Sequence, residues 1–318
     1  MKKFLSVFFA IYAVGCSPEN NKEAEISKID VSFEVERFDK VLSKSDLSDL
    51  PELKKEYPMF FPDSYPDSVW QQRFKDALQR DLIVETVKIY ENFDKEALAL
   101  KSLFQHAKYY FDDFIVPKII TLTTEVDYRN SIIYSDTLLL IGLDNYLGSE
   151  HKFYQGIQAY IKDDFDRSAI VVDAASKIAR SQLALPSDRT FLSTMILYGK
   201  ELFLKDLLIP SKTDAEKIKY SPAEFNWAKE NEEYIWRHFV ENNMLFSADQ
   251  SLKIRFIEPA PFSKFYLSFD AESPGRIGQF IGWQIVRSYM ENNDVSLQRM
   301  LQASTEEIFN NSRYKPGK

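Results

Sequence analysis

"SPGRIGQFIGWQIVRSYM", residues 273–290, gathers Gly275, Gly278 and Gly282, three of the chain's nine glycines. A chain that uses glycine so sparingly has a reason for concentrating it here. A phosphate cradle would need backbone amides converging at a strand-to-helix turn, with Lys and Ser/Thr at hand; Arg276 is the only charge inside this loop. A membrane-helix seam would need an apolar run of about 20 residues, whereas Gln279, Gln284 and Arg287 interrupt this one. The remaining reading is a packing signature. It predicts a helix starting at Ser273, with Pro274 in its first turn and Gly278 and Gly282 one turn apart on one face. Each glycine costs a helix about 1 kcal/mol against alanine, which close approach of a second element offsets.

Working outward, the chain has 318 residues, 45% hydrophobic and 28% charged, with 25 Phe and 17 Tyr, a composition that buries a large core. Its net charge is −8, and the absence of any long Lys/Arg run excludes nucleic acid as a partner class.

The first residues carry the clearest local signal. Lys2 and Lys3 precede "FLSVFFAIYAVG", Phe4 to Gly15, an apolar run too short to span a bilayer and of the length of a secretory leader. It ends at Cys16, the single cysteine, preceded by Ala13, Val14 and Gly15. A lone cysteine is ordinarily a buried thiol. Here its position after small residues, and before the polar "SPENNKEAE", reads as a bacterial lipoprotein signal, with acylation of Cys16 (palmitate among the acyl groups) and cleavage before it. Ala13 departs from the leucine commoner at that place. The expected organisation is a signal peptide over 1–15, a flexible polar tether over 16–28 and one globular domain over 29–318. Without Lys2 and Lys3 the net charge is −10, so the body is expected to stand off an anionic bilayer. A single cysteine excludes intrachain disulfides.

Along the body, "IDVSFEVERFDKVL" alternates as a strand followed by a short helix. "EYPMFFPDSYPDS" is an ordered, aromatic-rich loop in which Phe60, Phe61 and Tyr65 seek burial. Helical spacing follows, with Leu78, Leu82 and Val87, then Leu100, Phe104 and Ala107, on single faces. "PKIITLTTEVDYRNSIIYSDTLLLIGLDNYLG" is β-branched and broken by turn signals, and predicts two or three antiparallel strands. "PSDRTFLSTMILYGKELFLKDLLIP" returns to helix, from a Ser187/Asp188 start signal to Pro210, and "AEFNWAKENEEYIWRHFVENNMLF" is a further strong helix. The fold class is α+β, mainly helical, with a small antiparallel sheet in the first half of a single domain.

Catalytic machinery is not visible. His106, His151 and His238 have no ligand spacing and no cysteine to join them, so neither an HExxH site nor any other metal site is predicted. There is no G-x-S-x-G elbow, no P-loop and no dinucleotide fingerprint, hence no expected cofactor. Asp163, Asp164 and Asp166, and Glu230, Glu232 and Glu233, read as solvated faces.

Seven stretches together resemble the gliding-motility lipoprotein GldB family of Bacteroidota: "EVERFDK", "LLLIGLDNYLG", "MILYGKELFLKDLLIP", "NWAKENEEYIWRHFVENNMLFS", "APFSKFYL", "SPGRIGQFIGWQIVRSYM" and "IFNNSRYKP". The resemblance spans nearly all of the chain after the leader and agrees with the Cys16 signal. It implies a zincin-like scaffold, in which a small sheet precedes an HExxH helix. "LYGKEL", Leu197 to Leu202, lies near that helix, with Tyr198 and Leu202 near the ligand positions and Gly199 or Glu201 near the base. In no register are both ligand positions histidine, so the resemblance implies a protease-like scaffold without its metal. Two functions follow: a non-enzymatic binding or assembly role among gliding-machinery proteins and their associated secretion system, or a hydrolase using carboxylates such as Glu201 and Glu233 or an unusual metal site. Gly275, Gly278, Gly282, Gly199, Tyr198 and Asp144 are the packing or binding candidates. The expected location is the cell envelope, with Cys16 anchored in the outer membrane and the body facing the periplasm.

Overall fold

In a computed structural model, which describes residues 18–317, the two most apolar strands lie side by side. They are β2 (Lys118–Leu122) and β4 (Leu138–Gly142), flanked by β1 (Val35–Arg37) and β3 (Ile132–Ser135) in the order β1-β2-β4-β3. β1 and β4 both run parallel to β2, and only the β3–β4 hairpin is antiparallel. The expected antiparallel sheet is therefore corrected to a mixed one. Parallel pairing is the arrangement of strands covered on both faces, as β2 and β4 are. Ile119, Leu139 and Ile141 face the main core. On the other face Ile120, Leu138 and Leu140 meet an aromatic cluster around Phe38, Phe61 and Trp70. The "EYPMFFPDSYPDS" segment supplies that cluster, although Tyr65 stays 53% exposed.

The tether expected over 16–28 is also corrected. Pro18–Ile26 is a helix docked on the helix Asp94–Tyr110. Ile26 is buried, Glu23 approaches His106 Nε2 at 3.2 Å, and Gln105 donates to the Ser27 and Ile29 carbonyls. Ile26 alone among these residues inserts into the core, so the segment has no apolar periodicity to read. Cys16 and the leader lie outside the described residues.

The helix Phe191–Leu208 runs through the centre of the molecule. Thr190 caps it, its hydroxyl accepting from the Ser193 amide, and it ends ahead of Pro210. Leu204 and Leu208 belong to the core shared with the sheet, whereas Phe191, Leu192, Met195, Ile196 and Leu202 belong to a second, all-helical core. The predicted long helix after Pro222 is two helices, Pro222–Glu230 and Glu232–Glu241. They divide at Asn231, whose side chain competes for the Trp227 carbonyl.

Against the central helix lies Ile277–Asn292, the helix of the opening stretch. It begins four residues later than expected. Arg276 takes a left-handed backbone (φ 61°), and residues 273–276 form a connector in which Gly275 presses on the Ala260 backbone. A Cβ on Gly282 would stand 1.9 Å from the Met195 carbonyl oxygen, and one on Gly199 would stand 2.2 Å from the Gly282 carbonyl oxygen. These two glycines let the helices touch backbone to backbone, as the packing signature predicted. Gly278 faces a different neighbour, because a Cβ there would meet Ile257 Cδ1 at 2.8 Å and the Phe256 carbonyl at 3.0 Å. The seam thus has two partners, the central helix and the helix Gln250–Phe256.

A methyl at Gly282 can be accommodated only by separating two backbones, whereas one at Gly278 first meets the flexible end of Ile257. Gly282→Ala is expected to cost about 1–3 kcal/mol by overpacking, lowering the melting temperature by roughly 2–4 °C per kcal/mol. Gly278→Ala should cost less. Circular-dichroism melts of the two variants check the order.

Candidate binding cleft

The short helix Asp214–Ile218 follows the central helix and opens on a reciprocal cap between Thr213 and Glu216. It closes at Lys219 in the left-handed region (φ 58°), where glycine is the usual residue. Arg276 occupies the same region, and each such residue costs about 1–2 kcal/mol. The two are latched together. Arg276 Nη2 donates to the Lys219 carbonyl at 2.5 Å, and the neighbouring Tyr220 hydroxyl donates to the Gly275 carbonyl.

Around this latch lie two adjoining cavities of about 890 and 570 Å³, which share Tyr160, Asp164, Lys219 and Arg276. The first is rich in carboxylates, adding Asp163, Asp166, Glu216 and Glu224. The second adds the cations Arg129 and Lys177, the acids Asp173 and Glu258, and the ring of Tyr146. At the junction the Asp164 carboxylate lies 3.9 Å from both Lys219 Nζ and Arg276 Nη1. Lys219 makes its close contact with Asp173 at 2.5 Å, and Tyr146 donates to Asp173 at 2.8 Å. Burial raises the Asp164 carboxyl above its usual range against the pull of Lys219 and Arg276. Burial also opposes the Lys219 charge, but Asp173 and Asp164 overcome it and hold the ammonium more firmly protonated. The arrangement is bipolar, offering carboxylates on one side and cations with phenolic rings on the other. It can bind a ligand carrying both donors and acceptors. No histidine or cysteine lines either cavity. Among the described residues no three His, Cys, Asp or Glu side chains converge as metal ligands.

The "LYGKEL" residues lie elsewhere and line neither cavity. Gly199 is consumed by the seam and Leu202 is buried in the second core. Tyr198 is half-buried beneath the Arg180 guanidinium, 4.4 Å from its ring centre. The buried Glu201 carboxylate lies 2.5 Å from Arg180, a charge contact without hydrogen-bond alignment. Glu233 is exposed in the first turn of its helix, far in sequence from any partner of Glu201. Asp144 is fully buried and structural. Its carboxylate accepts from the Thr124 and Val126 amides, pinning a loop where Glu125 and Val126 are both left-handed. The histidines are dispersed: His106 against Glu23, His151 near Glu85, and His238 beside Phe265. Of the acidic cluster 163–166 read as a solvated face, Asp164 alone is drawn inward. Asp163 and Asp166 remain exposed.

A second polar network joins the central helix to its neighbours. Asp206 accepts from Trp283 Nε1 (2.9 Å), Arg287 (2.7 and 2.8 Å) and Lys217 (2.9 Å), and Arg287 also reaches Asp214. Lys200 donates to the Leu301 and Ala303 carbonyls, and Lys205 to the Lys217 carbonyl. The available signal was four charges, Lys200, Glu201, Lys205 and Asp206, inside an otherwise apolar helix.

With this geometry in view, the chain is a mainly helical α+β protein with a polar cleft. A family model described as gliding motility protein GldB matches residues 19–316, and the chain belongs to this family of gliding-motility lipoproteins. No curated protein and no solved structure gives a significant match.

The buried lysines set a pH dependence. Burial lowers Lys200 and Lys205 to about 8 each, while an unfolded chain holds these protons to about 10.4. Between those values the unfolded state binds more protons, so stability rises with pH. Above about 10 it falls again, because burial raises Tyr90, Tyr154 and Tyr220 while unfolded tyrosines ionise. Denaturant midpoints are expected to rise from about pH 8 and to peak near pH 10. Lys205→Met should flatten the rising limb, as urea titrations across that range will show.

Proposed function

We propose that this protein serves the gliding apparatus, and the secretion system associated with it, as a non-enzymatic lipid-anchored binding component whose contact site is the bipolar cleft. Cys16 carries the acyl groups, palmitate among them, and the anchor lies in the outer membrane with the body toward the periplasm of a Bacteroidota cell. The observation that carries the non-enzymatic reading is the fate of "LYGKEL". In the zincin-like comparison this helix would present metal ligands and a base, yet Gly199 packs against the Gly282 backbone and Glu201 is spent on Arg180. These two side-chain positions are committed to packing and to a charge contact. The cleft, by contrast, keeps charged groups facing an open volume. Membership of a gliding-motility family over residues 19–316 supports the process.

The competing hydrolase reading rests on Glu201 and Glu233. Metal-dependent peptidase activity in the purified protein, abolished by Glu201→Gln, would overturn the binding role.

Two outcomes are expected. Cys16→Ser abolishes incorporation of labelled fatty acid and moves the protein from the membrane to the soluble fraction; continued labelling refutes the anchor. Asp163→Lys with Asp166→Lys, two exposed carboxylates of the first cavity, impairs colony spreading. Its melting temperature stays near that of the unaltered protein, since exposed substitutions typically change stability by no more than about 0.5 kcal/mol.

A further inference from the structure

On the face of the sheet away from the main core, a cavity of about 300 Å³ opens between β2 and the helices Phe38–Lys44, Asp67–Lys75 and Ala77–Ile89. It shares no lining residue with the cleft. Its walls are apolar and mainly aromatic: Phe38, Phe60, Phe61, Trp70 and Phe74, with Leu122 from β2. Protein interiors otherwise leave few voids larger than a water molecule, and this volume falls at the lower end of the range that holds small-molecule ligands.

One wall residue has an unmet partner. Trp70 is 7% exposed, yet its indole Nε1–H has no acceptor among the described residues and is closed off from solvent. An indole N–H only donates, and a buried donor left without a partner is destabilising. The charged groups at the rim are already engaged. Arg73 pairs with Glu125 at 3.3 Å and stands 5.3 Å from the centre of the Trp70 ring. Arg80 donates to the Ser45 carbonyl and is balanced by the nearby Asp46 carboxylate. The cavity therefore lacks one neutral acceptor, not an ion of either sign. Its Glu125 side is built on the left-handed pair Glu125 and Val126, each with φ 60°. That state is rare for a β-branched residue, and backbone strain of this kind collects at ligand clamps.

We propose that this cavity binds a small, neutral aromatic compound bearing a carbonyl oxygen, which accepts the Trp70 Nε1–H. The aromatic class follows from the walls, where rings already pack on rings. Phe38 stacks on Phe60 at 4.6 Å, and Phe61 meets Trp70 edge-on at 5.0 Å. The guest reaches the nitrogen by displacing the half-buried Phe74 ring, one helical turn on from Trp70. The site is independent of the cleft and of acylation at Cys16.

The probe is prodan, a neutral naphthalene ketone whose emission moves to the blue in apolar surroundings, titrated into the full chain. Ile83→Trp, at a half-buried lining position, fills the space and reports background uptake in the same buffer. A saturable blue shift is expected from the unaltered protein and its loss from Ile83→Trp. Acetylnaphthalene should displace prodan about tenfold better than ethylnaphthalene, which has the ring without the oxygen. Trp70→Phe keeps a ring and removes the donor, and should erase that difference. This ratio is read within one protein, so it carries the test even where Ile83→Trp fails to fold. An absent shift, equal uptake by a folded Ile83→Trp, or a difference between the two competitors that survives Trp70→Phe overturns the proposal. So does tighter binding of naphthoate than of the ketone, which would make the guest an anion. Capture of an envelope protein by a photo-crosslinker at Gln79, with no prodan uptake, would make the cavity a protein-docking groove.

Discussion

The contact between the Gly282 carbonyl and the place where Gly199 lacks a side chain sets the spacing of the whole molecule. With the two backbones in touch, Phe280, Ile281, Trp283 and Ile285 are carried into the second core alongside Met195 and Ile196. The same approach brings Trp283 and Arg287 within hydrogen-bonding reach of Asp206 on the central helix. The penalty of two glycines in helices, about 1 kcal/mol each, is set against that burial. At about 25 cal/mol per Å² of apolar surface removed from water, one aromatic ring more than offsets it.

Close helix packing also explains how charge survives inside. Asp206 and Asp214 hold Arg287 protonated despite its burial. A buried ion pair is weak evidence of stability, whereas breaking one leaves an uncompensated charge. The network therefore reads as a fixer of register: it admits one rotation of the Ile277–Asn292 helix relative to its neighbour. Lys200 and Lys205 lack such carboxylate contacts and are satisfied by backbone carbonyls, which is why burial weakens their hold on the proton.

What the sequence disclosed was whatever depends on local pattern. The glycine seam, the helix ending ahead of Pro210 and the strand-then-helix at "EVERFDK" follow from spacing and residue type. Strand direction did not, because "IITL" and "LLLI" are apolar in either orientation and only the chain's return through β4 decides it. The Pro18–Ile26 helix was hidden because a single buried isoleucine carries no period. The cleft was hidden for a related reason. Lys219 and Arg276 are 57 residues apart along the chain, and nothing local marks either as left-handed. Asp164 looked like a surface carboxylate because its inward turn depends on cations brought from elsewhere.

The central helix serves both interiors, giving Leu204 and Leu208 to one and Phe191 and Met195 to the other. A chain of this length would ordinarily be free to fold in stages, one half before the other. Here neither half has a complete set of walls alone: the sheet-containing part would expose one flank of the helix, and the helical part the opposite flank. The two interiors thus share one wall, and a fragment cut on either side of residues 191–208 is expected to expose an apolar flank of that helix and to lose compact folding.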